Sequence, residues 1–307
     1  MNKKIVFMGT PSFGIPSLKY LHETYGVSLV VTQPDRPVGR KRILTAPPIK
    51  EVAQALGIEV FQPLNIRKEY HRIIDLKPDL IVTAAYGQMI PDEVLNCAIS
   101  LNIHGSILPK YRGGAPVQWA IMNGDDITGV TLMYMASEMD SGDIIDVSKT
   151  PILDSDTTTS LLEKLSFMGR DLLMKHIEGI FTGTSPRVKQ DHLKATYAYN
   201  LKPEDEILDF HKPTKLVLRQ LSGLLDDIGG SFFVGNTRIK VYKAEKSDII
   251  SNRRPSEVIS VHKELIIKTK DGAVRINVLQ EQGKKVMTDQ AYLNGQKLLK
   301  EGDVVNA

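Results

Sequence analysis

Short apolar runs alternate with helix-spaced segments through the first hundred residues. Residues 4–8 (KIVFM) have the pattern of a buried strand, end at Gly9-Thr10-Pro11, and are followed by helical spacing over about 13–23. Residues 27–32, 79–83 and 99–104 repeat the strand pattern, and 49–56 and 66–76 repeat the helical one. Such alternation predicts βαβ units and a mostly parallel sheet, whose ligands bind beyond the carboxyl ends of the strands. Gly9, residues 84–86 and residues 102–104 all fall at that edge. Residues 127–135 and 144–149 are β-rich, and Leu161, Leu162, Leu165, Met168, Leu172 and Leu173 predict a long helix over 157–177. Gly, Pro and polar residues over 182–190 mark a boundary, and polar 194–209 reads as linker. A helical segment from about Leu216 gives way to β-like runs at 231–234, 238–242, 257–261, 265–268 and 274–279, with turn signals at Gly235-Asn236 and Asp271-Gly272. Five short strands predict a small closed barrel of the oligonucleotide-binding type. The expected organisation is an α/β domain over 1–188, a linker over 189–206 and a barrel domain over 207–307.

One segment lacks periodicity. Residues 33–48 (QPDRPVGRKRILTAPP) are longer than a βα connection needs and carry four basic residues, Arg36, Arg40, Lys41 and Arg42. A basic loop at the ligand edge points to phosphate contact; the competing reading is a solvated surface loop.

Composition narrows the classes. A chain of 307 residues, 42% hydrophobic and 24% charged, builds two packed domains. A single cysteine, Cys97, excludes an intramolecular disulfide and a cysteine metal cluster and fits a reducing compartment. Lys3 and Lys4 precede an apolar run too short for a signal peptide, and no run has membrane-spanning length, so a cytoplasmic monomer without membrane contact is expected. Net charge is +3, unevenly placed: 206–307 hold 17 basic and 13 acidic residues, and 1–205 hold 22 and 23. This excess fits a polyanion partner and equally an ordinary surface.

The chemistry gathers at two motifs. Residues 9–14 (GTPSFG) follow a strand and open a helix, but Pro11 breaks the dinucleotide pattern, and there is no Walker A sequence. Strand alternation points Asn102 and His104 to one face, and Asp140 lies in a Gly/Ser-rich loop, SEMDSGD. No second well-spaced histidine supports a metal, and Gly105-Ser106 is no nucleophile elbow. What remains is transfer of an activated acyl group to a nucleophile carried by the substrate. Asn102 would hydrogen-bond the oxyanion. His104 would stabilise that oxyanion or relay a proton, and Asp140 would orient His104 and accept the proton directly or through water.

The run NIHGSILPKYRGGAPVQWAI, then GVTLMYM and MDSGD, resembles the 10-formyltetrahydrofolate-dependent formyltransferases. FMGTPSF, VTQPDRPVGR, VFQP, AAYGQMIP and GKKVM resemble the members that act on methionyl initiator tRNA. The resemblance implies a Rossmann-like domain, a linker and a C-terminal barrel. It implies transfer of formyl from 10-formyltetrahydrofolate to the α-amino group of that RNA, with no metal. A folate-dependent enzyme acting on a small-molecule or nucleotide-sugar amine is the alternative. By motif match Asn102, His104 and Asp140 are catalytic. Tyr86, Gly87, Gln88, Met89 and Ile90, with Ser106, Ile107, Leu108, Pro109 and Asp140, would contact folate. Gly9, Thr10, Pro11 and Phe13 would line the pocket for the methionyl end. Arg36, Arg40, Lys41 and Arg42 would engage the tRNA acceptor stem. Two departures concern the barrel: Asp226 and Asp227 stand where apolar and proline residues are usual, and the turn at 255–258 (PSEV) lacks its glycine.

Overall fold

The computed structural model describes residues 3–39, 42–226, 228–295 and 298–306. In chain order the elements begin with β1 (Ile5–Gly9), α1 (Ile15–Tyr25), β2 (Leu29–Val31), β3 (Arg36–Val38), β4 (Ile43–Thr45), α2 (Pro48–Ala55), β5 (Val60–Phe61), α3 (Ile66–Glu69) and α4 (His71–Leu76). There follow β6 (Leu80–Ala84), α5 (Asp92–Leu95), β7 (Ile99–His104), α6 (Pro116–Met122), β8 (Ile127–Tyr134), β9 (Ile144–Pro151) and α7 (Thr158–Thr182). The last are α8 (Thr214–Gly223), β10 (Gly230–Val234), β11 (Thr237–Ser247), β12 (Val258–Ser260), β13 (Ile266–Lys268), β14 (Ala273–Glu281), β15 (Met287–Thr288) and α9 (Asp289–Leu293). By compactness, Met1–Pro116, Ile127–Pro151 and Leu162–Tyr199 form one unit, and Val117–Asp126, Ile152–Leu161 and Asn200–Ala307 another.

The first unit is built on a seven-stranded sheet in the order β5-β2-β1-β6-β7-β8-β9. Pairing is parallel from β5 to β7 and antiparallel from β7 to β9. Every residue of β1 and β6 is buried, as continuous apolar runs in a covered parallel sheet require. The chain runs from β1 outward to β2 and β5, then returns to add β6 on the other side of β1. The strand order therefore reverses between β1 and β6, and a crevice opens beyond their carboxyl ends. The register places Gly9 opposite Ala84 and Thr83 opposite Asn102, so the three strand ends meet there.

Two expectations for this unit are corrected. The aperiodic segment 33–48 contains an antiparallel hairpin, with Arg36 opposite Thr45 and Val38 opposite Ile43. All six hairpin residues are exposed, so no buried face imposes a period of two on the sequence. Arg40 and Lys41 lie outside the described residues. The single helix expected over 66–76 is two short ones separated at Tyr70.

The second unit carries a six-stranded antiparallel sheet, β10-β11-β14-β13-β12 with β15 beside β14, over a core that includes Phe210, Phe232, Ile239 and Ile276. Gly235-Asn236 make the two-residue turn between β10 and β11, with Gly235 at φ +53°. The ladder leaves β10 and β12 as edges, and residues 302–306 bridge them. Val258 N donates to Asp303 O at 2.8 Å on one side, and Asn306 N to Phe233 O at 2.8 Å on the other. The tail thus joins the two edges of the curled sheet, with Val304 making an antiparallel bridge to Glu257. In the stretch that precedes Asp226, Arg219 is buried against Asp154 (3.0 Å), and Thr158 donates to Gly223 O (2.6 Å). Asp227 lies outside the described residues.

In the first unit Asp146 of β9 accepts from Lys175 and His176 of α7, both at 2.8 Å, and from Val147 N at 2.8 Å. Burial alone would raise this carboxyl, but the hydrogen bonds outweigh it and hold its pKa at about 2. A depressed pKa stabilises the fold above the unfolded value of about 3.9 and ceases to do so as pH falls through about 2. We expect Asp146→Asn to cost about 1–2 kcal/mol at pH 7 and progressively less from pH 4 to pH 2, as measured by urea unfolding.

Candidate active site

Asn102 and His104 both reach Asp140 from the end of β7, as strand alternation requires. Asn102 Nδ2 donates to Asp140 Oδ1 at 3.0 Å, and Gly113 N donates to Asp140 Oδ2 at 2.8 Å. His104 Nδ1 lies 3.6 Å from the same Oδ2. On the other side of the ring, His104 Nε2 is 2.8 Å from Tyr111 O. A carbonyl oxygen only accepts, so Nε2 carries the proton. In that tautomer Nδ1 faces the carboxylate with a lone pair, not a donor, and 3.6 Å exceeds hydrogen-bond length. A proton arriving at Nδ1 finds Oδ2 ready to accept.

The sequence favours this geometry locally. The turn between β8 and β9 returns the chain over the end of β7. Asp140 occupies it with φ +50°, in the left-handed region. Gly142 lets the turn pack closely, since a Cβ there would lie 2.0 Å from Tyr134 O. Gly113, at φ +121°, presses against the chain at Ala198, where an added Cβ would stand 2.6 Å from the carbonyl oxygen. The Asp140 carboxylate only accepts, so it turns the amide nitrogen of Asn102 toward itself, and Thr83 Oγ1, from β6, lies 2.8 Å from Asn102 Oδ1. That nitrogen has a second N–H available to a developing oxyanion.

The other expected residues take distinct places. Tyr86 directs its ring into a core cluster with Val6, Ile66 and Ile73, and burial, then the charge of Glu69, pushes its phenol well up. Its carbonyl accepts from Thr10 Oγ1 (2.8 Å) and Gln33 Nε2 (3.2 Å). Gln88 turns inward to Ile66 N and Pro63 O, and Ile90 packs on the same cluster. The 86–90 stretch therefore presents backbone, with Gly87 at φ +88° and Met89 half exposed. Ser106 donates to Lys110 O (2.7 Å), and Leu108 N to Thr131 Oγ1 (3.2 Å), so the polar groups of 106–109 brace that turn; Ile107 and Pro109 are partly exposed on it. Gly9 and Phe13 are buried and Pro11 is exposed. Thr10 lines a cavity of about 360 Å³ with Gln33, Pro34, Arg36, Val38 and Pro47, beneath the β3–β4 hairpin. Arg36 donates to Gln33 Oε1 at 3.0 Å, and Arg42 is exposed at φ +48°.

Sequence reasoning missed Thr83, Gly113 and Gln190. Gly113 lies within the long run that carries the resemblance, but nothing in the run marks it as a donor to Asp140. Gln190, whose Nε2 donates to Asp140 O, sits in a polar stretch with no pattern to single it out.

A family model described as formyl transferase matches residues 3–177, and one described as formyl transferase, C-terminal domain, matches 200–297. The chain belongs to the formyl transferase family. It is 45% identical over 300 residues to the methionyl-tRNA formyltransferase of Macrococcus caseolyticus, covering 96% of each chain. It is 46% identical over 308 residues to that of Limosilactobacillus fermentum, covering 98% of each. Among solved structures, an N-formyltransferase from Helicobacter canadensis in complex with folinic acid and dTDP-3-aminofucose is similar in fold. Its TM-score is 0.67 at 20% identity, over 89% of this chain and 98% of that one. HypX from Aquifex aeolicus matches with TM-score 0.68 at 20% identity over all of this chain, which spans 51% of HypX.

In this formyl transferase, Gly113→Ala forces a side chain into a left-handed position against Ala198. The expected outcome is a stability loss of about 1–3 kcal/mol with a larger proportional loss of formyl transfer, read by thermal unfolding and a rate assay on the folded fraction.

Proposed function

We infer that this chain transfers the formyl group of 10-formyltetrahydrofolate to the α-amino group of methionyl initiator tRNA. The observation that carries the reading is full-length identity of 43–46% to several methionyl-tRNA formyltransferases, through both domains. A small-molecule amine substrate would leave the basic segment 33–48 unused.

The reaction joins the amine nitrogen to the formyl carbon and breaks the bond from that carbon to N10 of the folate. The amine loses a proton and N10 gains one. We assign the catalytic roles to Asn102, His104 and Asp140. The free N–H of Asn102 serves the oxyanion. Nδ1 of His104 receives the amine proton, and Asp140 stabilises the imidazolium so formed. The ring then holds a proton that it can return toward the departing N10. The backbone of 86–90 and the turn of 106–109 supply flat, donor-and-acceptor-rich walls that suit a pterin. The cavity at Thr10 has the size of a small-ligand site and apolar walls that suit a methionyl side chain, with Gly9, Pro11 and Phe13 at its margin. The basic residues of segment 33–48, Arg36, Arg40, Lys41 and Arg42, suit an acceptor-stem backbone. Residues 1–188 act in this reading as the catalytic domain, 189–206 as the linker and 207–307 as the RNA-binding domain.

Formylation of charged initiator tRNA is expected to fall by about 10²- to 10⁴-fold in His104→Ala and Asp140→Asn, with RNA binding retained. Full activity of His104→Ala would remove the proposed proton route. Arg40→Ala or Arg42→Ala should weaken RNA binding and lower its salt dependence by about one unit of slope, leaving formyl-folate binding unchanged. Equal loss of both ligands would show that the hairpin does not discriminate between them.

A further inference from the structure

The polar stretch at the end of the first unit hides a fully used amide. Gln190 is 6% exposed. Its Nε2 donates to Asp140 O and to Gly142 O, both at 2.8 Å. Its Oε1 accepts from Arg112 Nε at 3.2 Å and from Arg112 Nη2 at 2.7 Å. Both N–H donors face carbonyls and the oxygen faces guanidinium N–H groups, so the amide has one workable orientation. Arg112 is itself 2% exposed and also lies 3.4 Å from His192 Nδ1.

The connection runs through the candidate site at both ends. Arg112 stands between Tyr111, whose carbonyl fixes the His104 tautomer, and Gly113, whose N–H holds Asp140 Oδ2. Gln190 ties this three-residue stretch to the backbone of the turn that bears Asp140. That turn has a left-handed aspartate at its apex, a conformation L-residues avoid, so it needs external bonds to persist. Asn102 and Gly113 hold the carboxylate, and the Gln190 amide holds the main chain on either side of Ser141.

We propose that Gln190 is a positioning residue for formyl transfer, clamping the Asp140 turn against the Arg112 stretch so that the carboxylate stays beside His104 Nδ1. This rests on the assignment of Asp140 to the reaction. The competing role for Gln190 is structural: to supply an acceptor for a buried arginine.

Gln190→Glu separates the two. A glutamate still accepts from Arg112, and does so as an ion pair, but it has no N–H for the Asp140 and Gly142 carbonyls. Steady-state kinetics with charged initiator tRNA and 10-formyltetrahydrofolate would be run on the full chain beside Asp140→Asn, with thermal unfolding of each. Gln190→Glu is expected to melt within a few degrees of the unmodified protein, with kcat lowered about ten- to hundredfold and both KM values within about threefold. An unchanged kcat would overturn the clamp. Should Gln190→Glu fail to fold, the Arg112→Met, Gln190→Leu double variant removes the buried charge together with its acceptor. The same loss of kcat is expected there, and an unchanged kcat would again overturn the clamp. If Asp140→Asn retains full rate, the assignment of Asp140 fails, and the clamp with it. If Asp140→Asn is inactive while Gln190→Glu is unaffected, the clamp alone fails.

Discussion

A largely buried carboxylate must have its lone pairs satisfied, and the arrangement around Asp140 follows from that requirement. With its side chain 13% exposed, Asp140 takes one N–H from Asn102 and one from Gly113 and keeps His104 within 3.6 Å. Desolvation disfavours a charged oxygen, and these donors offset the loss. Each comes from a different part of the chain. The parallel register of β6 and β7 sets Thr83 beside Asn102. The antiparallel return through β8 and β9 brings the Asp140 turn over the end of β7. Small residues at 113 and 142 permit the approach.

The sheet decides where this happens. Because strand order reverses between β1 and β6, their loops separate and leave a crevice, and β7 extends it. Thr10 and Gln33 both donate to the carbonyl of Tyr86, and Gln33 in turn accepts from Arg36. The loops after β1, β2 and β6 are thus joined through one carbonyl oxygen, and the exposed hairpin is anchored to the floor of the same crevice.

Much of this was legible beforehand, and the reasons are local. Buried strands such as 5–9 and 80–84 read as continuous apolar runs, and the convergence of their ends follows from βαβ handedness and parallel pairing. Asn102 and His104 were placed on one face by the period of two. The β3–β4 hairpin was not legible, because a ribbon with no buried face leaves no hydrophobic trace. The tail 302–306 was not legible either, since its bonds to Val258 and Phe233 are made by backbone and one asparagine. Gln190 lay in a stretch that read as a boundary because polarity there reports a hydrogen-bonding role as readily as exposure.

The sequence by itself determined the alternation of elements, the two-part organisation, the candidate status of Asn102, His104 and Asp140 and, through long motifs, the family. These depend on residue type and on spacing along one strand or helix, which the chain carries locally. The tertiary structure alone decided which ring nitrogen of His104 faces a carbonyl, the two-point hold on the Asp140 carboxylate, the inward ring of Tyr86 and the bonds of Gln190. The hydrogen bonds among these join groups from 7 to 78 residues apart, and contacts over such separations depend on the register and return of the chain rather than on any pattern within it.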